Sequence, residues 1–422
     1  MFALLLMTAC LTPVQKDGEG ETGETGDGGG GGGGVSVFDV REGRVADGET
    51  VTVTGALVSS PLTRADKESG RSDGFFIQDP AGGERSGLYV WSQGQFGSEL
   101  QLEEGDEVTI SGKISEYFGW TELVVGDASS ITITGSGTLP AAADLGDGAG
   151  VDWDAWESVP VTLQDQTVES VNEYNTGTLT AGIGLDDGFV YNDYECRGHY
   201  ASVTGIVFYS YEAWSINNRS EADLGAYTDG EVIDTTVQAI RAGEVCGPAR
   251  VSGVVSSAAS FGEDDDRTYI FAQDPAGGPN SGIMVFSSDG FTAYDEGTTF
   301  DVVGSVASYF GLIQLYVGEN GSITATGTGT AEPSLVTAEE TDWLQWQSVL
   351  VRLENVTAVT GINEYGQVQT DAGVFIDNLL YDFSAEEGTT WSSVTGPLYY
   401  TSYDDVPEYL VEPRYSADLV LE

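Results

Sequence analysis

The chain has 422 residues, 58 of them glycine, and a formal net charge of -53 from 68 acidic against 15 basic residues. A field of that sign repels phosphate backbones and anionic lipid headgroups, which excludes a basic track as the organising feature of the surface. With 10% aromatic residues and abundant glycine, the composition suits many short strands and tight turns rather than disorder.

Residues 1–10 form an apolar run closing on Thr8, Ala9 and Cys10. Small residues before a cysteine match the end of a bacterial lipoprotein signal, in which the cysteine is freed and acylated. No Lys or Arg precedes the run, a gap that a start further upstream would fill. Residues 11–34 are rich in Gly, Glu and Thr and end in seven glycines, a composition that buries nothing and behaves as a tether. Anchor, tether and folded part together predict a protein lipid-anchored to the bacterial cell envelope, at the outer membrane or cell surface.

Residues 35–137 are expected to form one small antiparallel barrel. Val51-Thr52-Val53-Thr54-Gly55 and Val108-Thr109-Ile110-Ser111-Gly112 alternate apolar and polar residues, as half-buried strands do. A strand over 74–78 stops at Asp79-Pro80, and the turn Ala81-Gly82-Gly83 feeds a strand over 87–91. Tyr117-Phe118-Gly119-Trp120 turns into a strand over 122–125. Residues 138–230 open on Trp153 and Trp156, expected to plug a second, shorter β domain with strands near 159–163 and 201–207. Most of this text is then written again. Gln78-Asp79-Pro80-Ala81-Gly82-Gly83 returns as Gln273-Asp274-Pro275-Ala276-Gly277-Gly278, and Tyr117-Phe118-Gly119 as Tyr309-Phe310-Gly311. Trp343 and Trp346 answer the first tryptophan pair, and Asn363-Glu364-Tyr365 answers Asn172-Glu173-Tyr174. The repeat predicts a third domain over 231–330 and a fourth over 331–422. Cys196 and Cys246 both fall outside the repeated pattern, so in an exported chain they are expected to pair with each other.

The run Gly74-Phe75-Phe76-Ile77-Gln78-Asp79-Pro80, followed by Ser86-Gly87-Leu88-Tyr89-Val90-Trp91, the segment 105–112 and the segment 119–123, resembles the OB-fold modules attached to secreted bacterial nucleases. Residues 269–275, 281–286, 297–304 and 311–315 carry the resemblance in the second copy. It implies an all-β fold of two tandem repeats, each an OB-like antiparallel barrel followed by a shorter OB-like β domain. In that family the modules accompany a catalytic domain of the endonuclease/exonuclease/phosphatase kind, and no stretch of this sequence is left over to build one.

No catalytic set stands out. The single histidine, His199, lies without a nucleophile elbow, and there is no phosphate-cradling loop ending in Lys-Ser or Lys-Thr. The chain is therefore expected not to be an enzyme and to need no cofactor. Calcium is the one cation to consider: it accepts oxygen ligands in loops, and Asp264, Asp265 and Asp266 form the candidate, without an Asp-x-Asp-x-Asp-Gly frame around them. A solvated acidic surface accounts for the same residues. The function expected is a monomeric, non-catalytic surface lipoprotein whose tandem barrels bind a protein or glycan or act as spacers, touching the membrane only through its lipid. Two alternatives stand beside it: a calcium-dependent adhesion module, and a single-stranded nucleic-acid-binding accessory of an extracellular nuclease system. Tyr89, Trp91, Tyr117, Phe118 and Trp120 are the candidate ligand-face aromatics. Base stacking on such rings contributes ~1–3 kcal/mol each, but Arg41, Arg44, Arg64, Arg71 and Arg85 are the local arginines available for a strand track.

Overall fold

A computed structural model describes residues 34–422 except 64–71, 97–99, 173, 211, 263–266, 288–292, 338–339 and 403–405, with only the backbone of 72–73 and 93–95. The lipidation candidate Cys10 and the calcium candidates Asp264, Asp265 and Asp266 lie outside the described residues.

The fold is all-β. A short helix α1 (Val37–Arg41) precedes the first sheet of β1 (Thr50–Val58), β2 (Ser72–Gln78), β3 (Gly87–Phe96), β4 (Asp106–Tyr117), β5 (Trp120–Val125) and β6 (Ile131–Ser136). Its order is β1-β2-β3-β5-β4, closed by β1 pairing β4, with β6 appended to β4. β3 and β5 run parallel, and the other neighbours in the ring run antiparallel. This closed five-stranded ring is the OB-type order. It arises here because alternating residues such as Val53, Val108 and Ile110 turn one face of each strand inward.

The second sheet has β7 (Ala143–Asp144), the helix α2 (Trp153–Trp156), β8 (Pro160–Val171), β9 (Gly177–Leu179), β10 (Gly184–Asp186), β11 (His199–Ser210), β12 (Ala213–Asn217) and β13 (Tyr227–Thr228). Its ring β8-β9-β10-β12-β11 closes through β11–β8 with β10 and β12 parallel, so the order of the first barrel is repeated. The third sheet comprises β14 (Ile233–Thr235), the helix α3 (Val237–Arg241), β15 (Gly247–Ser256), β16 (Thr268–Gln273), β17 (Gly282–Ser287), β18 (Thr298–Tyr309), β19 (Leu312–Tyr316) and β20 (Ser322–Thr328). The fourth comprises β21 (Ser334–Leu335), β22 (Leu350–Thr357), β23 (Val368–Gln369), β24 (Phe375–Ile376), β25 (Thr390–Thr401), β26 (Glu408–Val411) and β27 (Leu419–Leu421). Both repeat the ring, the fourth with the bridge Ala358–Thr370 closing β22 onto β23. Each barrel holds its own core, and the expected plugs are in place: Trp153 and Trp156 pack on the second core, while Trp343 and Trp346 are buried in the fourth.

Within each repeat the two barrels are docked by matching devices. Arg41, at the end of α1, is buried and donates to Thr121 Oγ1 (2.6 Å), the Asp154 carbonyl (3.1 Å) and the Glu157 carboxylate. Its counterpart Arg241 donates to the Leu344 carbonyl (2.6 Å) and to Gln347 Oε1. A second arginine comes back from the other barrel: Arg219 binds Asp223 and reaches the Ser59 carbonyl, as Arg414 binds Asp418 and reaches the Ser257 carbonyl. The glycine of the recurring Ser-Gly pair belongs to this docking. A Cβ on Gly87 would lie 2.0 Å from the Ser158 carbonyl oxygen, and one on Gly282 would lie 2.3 Å from the Ser348 carbonyl carbon. Backbone meets backbone there, and only glycine fits. The Ala-Gly-Gly turn has the left-handed geometry its glycines allow, with φ of 65° and 87° at Gly82 and Gly83.

The two repeats join at Cys196 and Cys246, placed as a disulfide pair with Cα atoms 5.7 Å apart. Arg197 reinforces the joint by donating to the carbonyls of Cys246 (2.9 Å), Glu231 (2.7 Å) and Pro248. The bond closes a separation of 50 residues, for which loop entropy predicts a loss of about 4 kcal/mol on opening. Urea unfolding with and without reductant should show that loss in the transition of the second and third barrels. A Cys196→Ser/Cys246→Ser chain should become insensitive to the reductant.

Candidate functional site

An OB barrel ordinarily offers ligands the outer face of its second and third strands, flanked by the loops between strands one and two and between four and five. In the first barrel that outer face carries Phe76 on β2, Tyr89 and Trp91 on β3, and Trp120 on β5. Those rings face the second barrel. Tyr89 stacks on Trp120 (centroids 4.5 Å apart, planes 13°), and Phe76 packs on Tyr89 (4.8 Å) and on Phe208 of β11 (4.7 Å). Phe189, Val190 and Ile206 complete the cluster from the second barrel's side. Tyr89 is only 4% exposed, and Trp91 and Trp120 are half-buried. The expectation that these three present rings to a ligand is therefore corrected: they are barrel–barrel packing. The third barrel does the same, burying Phe271, Met284 and Leu312 against Tyr400 of β25.

Tyr117 and Phe118 have the other fate. Tyr117 ends β4, and Phe118 with Gly119 forms the two-residue connection to β5, closed by the pair Tyr117–Trp120. Phe118 has φ of 48° and Gly119 has φ of 91°. A turn with both central residues left-handed matches the twist of a hairpin but favours Asn or Asp at the first position. Phenylalanine there carries strain of about 1–2 kcal/mol, and it is 77% exposed as well. The arrangement is duplicated: Phe310 has φ of 45°, Gly311 has φ of 78°, and the turn closes on the pair Tyr309–Leu312. In each turn the two rings meet edge to face, with centroids 4.8 and 4.6 Å apart. Strain of this kind, kept twice at an exposed position, points to a use for the ring rather than to the fold.

A second aromatic was not singled out as a site from sequence, although its motif is repeated. Tyr174 projects from the β8–β9 loop and is 78% exposed, and Tyr365 projects from the β22–β23 loop. Asn172 Oδ1 holds the first loop by accepting from the amides of Tyr174 (3.0 Å) and Thr176 (2.9 Å). Asn363 does the same for Tyr365 and Gln367, both at 2.9 Å. The repeated Asn-Glu-Tyr was the available signal: an asparagine-built turn kept with its tyrosine.

Among the described residues, the candidate cations of a nucleic-acid track are otherwise engaged. Arg41 is buried on Glu157, Arg44 pairs with Asp39 and Glu42, and Arg85 lies 3.4 Å from Asp154. Arg64 and Arg71 fall outside the described residues. His199 Nε2 lies 2.8 Å from Asp165 Oδ1 at the rim of an open depression of about 400 Å³. Asp147, Thr167 and Thr180 share that depression, and no serine or cysteine lines it. Among the described residues no group of three or more His, Cys, Asp or Glu is arranged to hold a metal ion, and no helix is long and apolar enough to cross a membrane.

No family model matches the chain, and no curated protein does. Among solved structures, the crystal structure of the p204 HINb domain is similar at 10% identity with a TM-score of 0.18, covering 67% of this chain and 100% of that one. A likeness that slight carries no argument, and the barrel assignment rests on the strand order itself.

The turn strain makes a direct prediction. Phe118→Asn and Phe310→Asn should each stabilise the chain by ~1 kcal/mol, because asparagine tolerates the left-handed region. Chemical denaturation reads the change. A loss of similar size at either position would show that the ring is structural.

Proposed function

We propose that this chain is a non-catalytic, lipid-anchored surface protein whose tandem OB-like barrels hold aromatic loops away from the envelope to bind a glycan or protein. The supporting observation is the division of aromatics in both repeats. The ordinary OB face is consumed by barrel packing, while strained or asparagine-braced loops leave Tyr117, Phe118, Tyr174, Tyr309, Phe310 and Tyr365 exposed. Flat exposed rings stack on apolar sugar faces or fill side-chain pockets, and neither use needs a cationic track. The resemblance to nuclease-attached modules keeps the accessory reading as the alternative, and the engaged arginines weigh against it.

Native gel electrophoresis through soluble polysaccharides, beside a shift assay with single-stranded DNA at low salt, separates the readings. Retardation by a polysaccharide that disappears in the Phe118→Asn/Phe310→Asn chain is the expected result. Retardation that persists undiminished in that folded variant would remove the aromatic turns from the binding surface. A DNA shift that weakens with salt would install the nuclease accessory instead.

A further inference from the structure

The sheets of this molecule end unequally. The second ends on β7 and β13, two residues each, and the fourth on β21, two residues, and β27, three. Short edge strands are one of the ordinary defences against unwanted pairing, along with charge and proline. The first and third sheets instead end on β6, six residues long, and β20, seven residues long. Neither strand contains a charged residue or a proline, in a chain that is 20% charged. Every residue of β6 after Ile131 is exposed, Ile133 included, and among the described residues no strand pairs with its outer edge. An unpaired row of amides and carbonyls of that length is a template for one more strand.

The charge around this edge indicates the occupant. Glu107 of β4 is paired opposite Gly135. Its carboxylate already leans over β6, with Oε1 3.2 Å from Thr134 Oγ1 and Oε2 3.8 Å from where a Cβ on Gly135 would stand. A carboxylate lies over a neutral edge, inside a field of formal charge -53. A second copy would bring the same charge and be repelled, whereas a basic segment is drawn in. We propose that β6 docks an extended basic polypeptide segment, which adds to the first barrel as a further strand with a cation over Glu107. The third barrel carries the uncharged version of the same edge, with Thr299 opposite Gly327 where the first has Glu107 opposite Gly135. This site is separate from the aromatic loops, and neither proposal depends on the other.

The test is fluorescence anisotropy of the full chain with a labelled octapeptide of alternating valine and lysine, and a twin N-methylated at its four central residues. The peptide should bind at low salt and the twin should not, since it keeps the charge but cannot form the ladder. Glu107→Thr should weaken binding roughly fivefold and flatten its salt dependence. Thr132→Lys/Thr134→Lys, both exposed and checked for unchanged circular dichroism, should abolish binding. The proposal is overturned by no binding at low salt, by equal binding of the twin, or by binding that survives the two lysines. Concentration-dependent dimerisation that those lysines remove, without peptide binding, would assign the edge to a second copy instead.

Discussion

Glu412→Gln should raise the stability of the protein at about pH 8 by ~1–3 kcal/mol, the cost of a buried polar group left without a partner, and change little at low pH. Glu412 follows β26 and is fully buried, and neither carboxylate oxygen has a hydrogen bond of ordinary geometry among the described residues. Burial first, and the charge of neighbouring Asp377 second, push its pKa well above 4.5. Asp377 is itself pushed up by burial. In the unfolded chain the Glu412 carboxyl loses its proton near 4.5, while in the folded chain it keeps the proton to higher pH. The stabilisation is therefore complete below 4.5 and is lost as pH rises through the folded value. Glutamine never ionises, and its amide can donate to the neighbouring Asp377 carboxylate. The second barrel shows that an amide suits this place. Asn217 accepts from Gly188 N (2.8 Å) and donates to Ser215 Oγ (3.0 Å) there. Thermal melts of both proteins across pH 4 to 8 check this, and parallel curves would refute it.

Arg41→Ala should cost about 3–5 kcal/mol at pH 8, the usual loss when one partner of a buried ion pair is removed. The Arg41 and Glu157 side chains are 3% and 1% exposed. Burial, working against the nearby Arg41 charge, raises the Glu157 pKa to about 7. Its stabilisation is likewise present below 4.5 and fades as pH rises toward about 7. At pH 5 the orphaned Glu157 of the variant would be protonated, so the loss should shrink there. Arg241→Ala is the internal control. Its partner Gln347 carries no charge, and burial alone lowers the Arg241 pKa to about 10. That variant should lose ~1–3 kcal/mol in hydrogen bonds with little pH dependence over the same range. Guanidinium unfolding of both variants at pH 5 and 8 decides the matter. Equal, pH-independent losses would mean that the ion pair contributes nothing beyond its contacts.

Much of the first and third barrels was legible. Their strands are long enough for a period of two to show, and Val53, Val108 and Ile110 of the alternating runs are fully buried. The second and fourth barrels were less legible as OB folds because β9, β10, β23 and β24 have only two or three residues each. No periodicity survives at that length. The candidate site was misread in part for a related reason. Phe75-Phe76-Ile77 and Leu88-Tyr89-Val90-Trp91 are continuous apolar runs, the mark of strands buried on both faces. Taking the second face as a ligand platform overlooked the neighbouring barrel.

The sequence by itself determined the duplication, the all-β class, the turn glycines and the pairing of Cys196 with Cys246. Each of these is written locally or in the copying of one text. Tertiary structure alone decided which aromatics reach solvent. Tyr89 and Tyr117 are the same residue type on successive strands, β3 and β4, of one barrel. One is buried and the other 59% exposed because a second barrel, whose chain begins beyond residue 137, covers the first and stops short of the second. Burial at a barrel–barrel contact depends on where distant backbone comes to lie, and no local pattern records that.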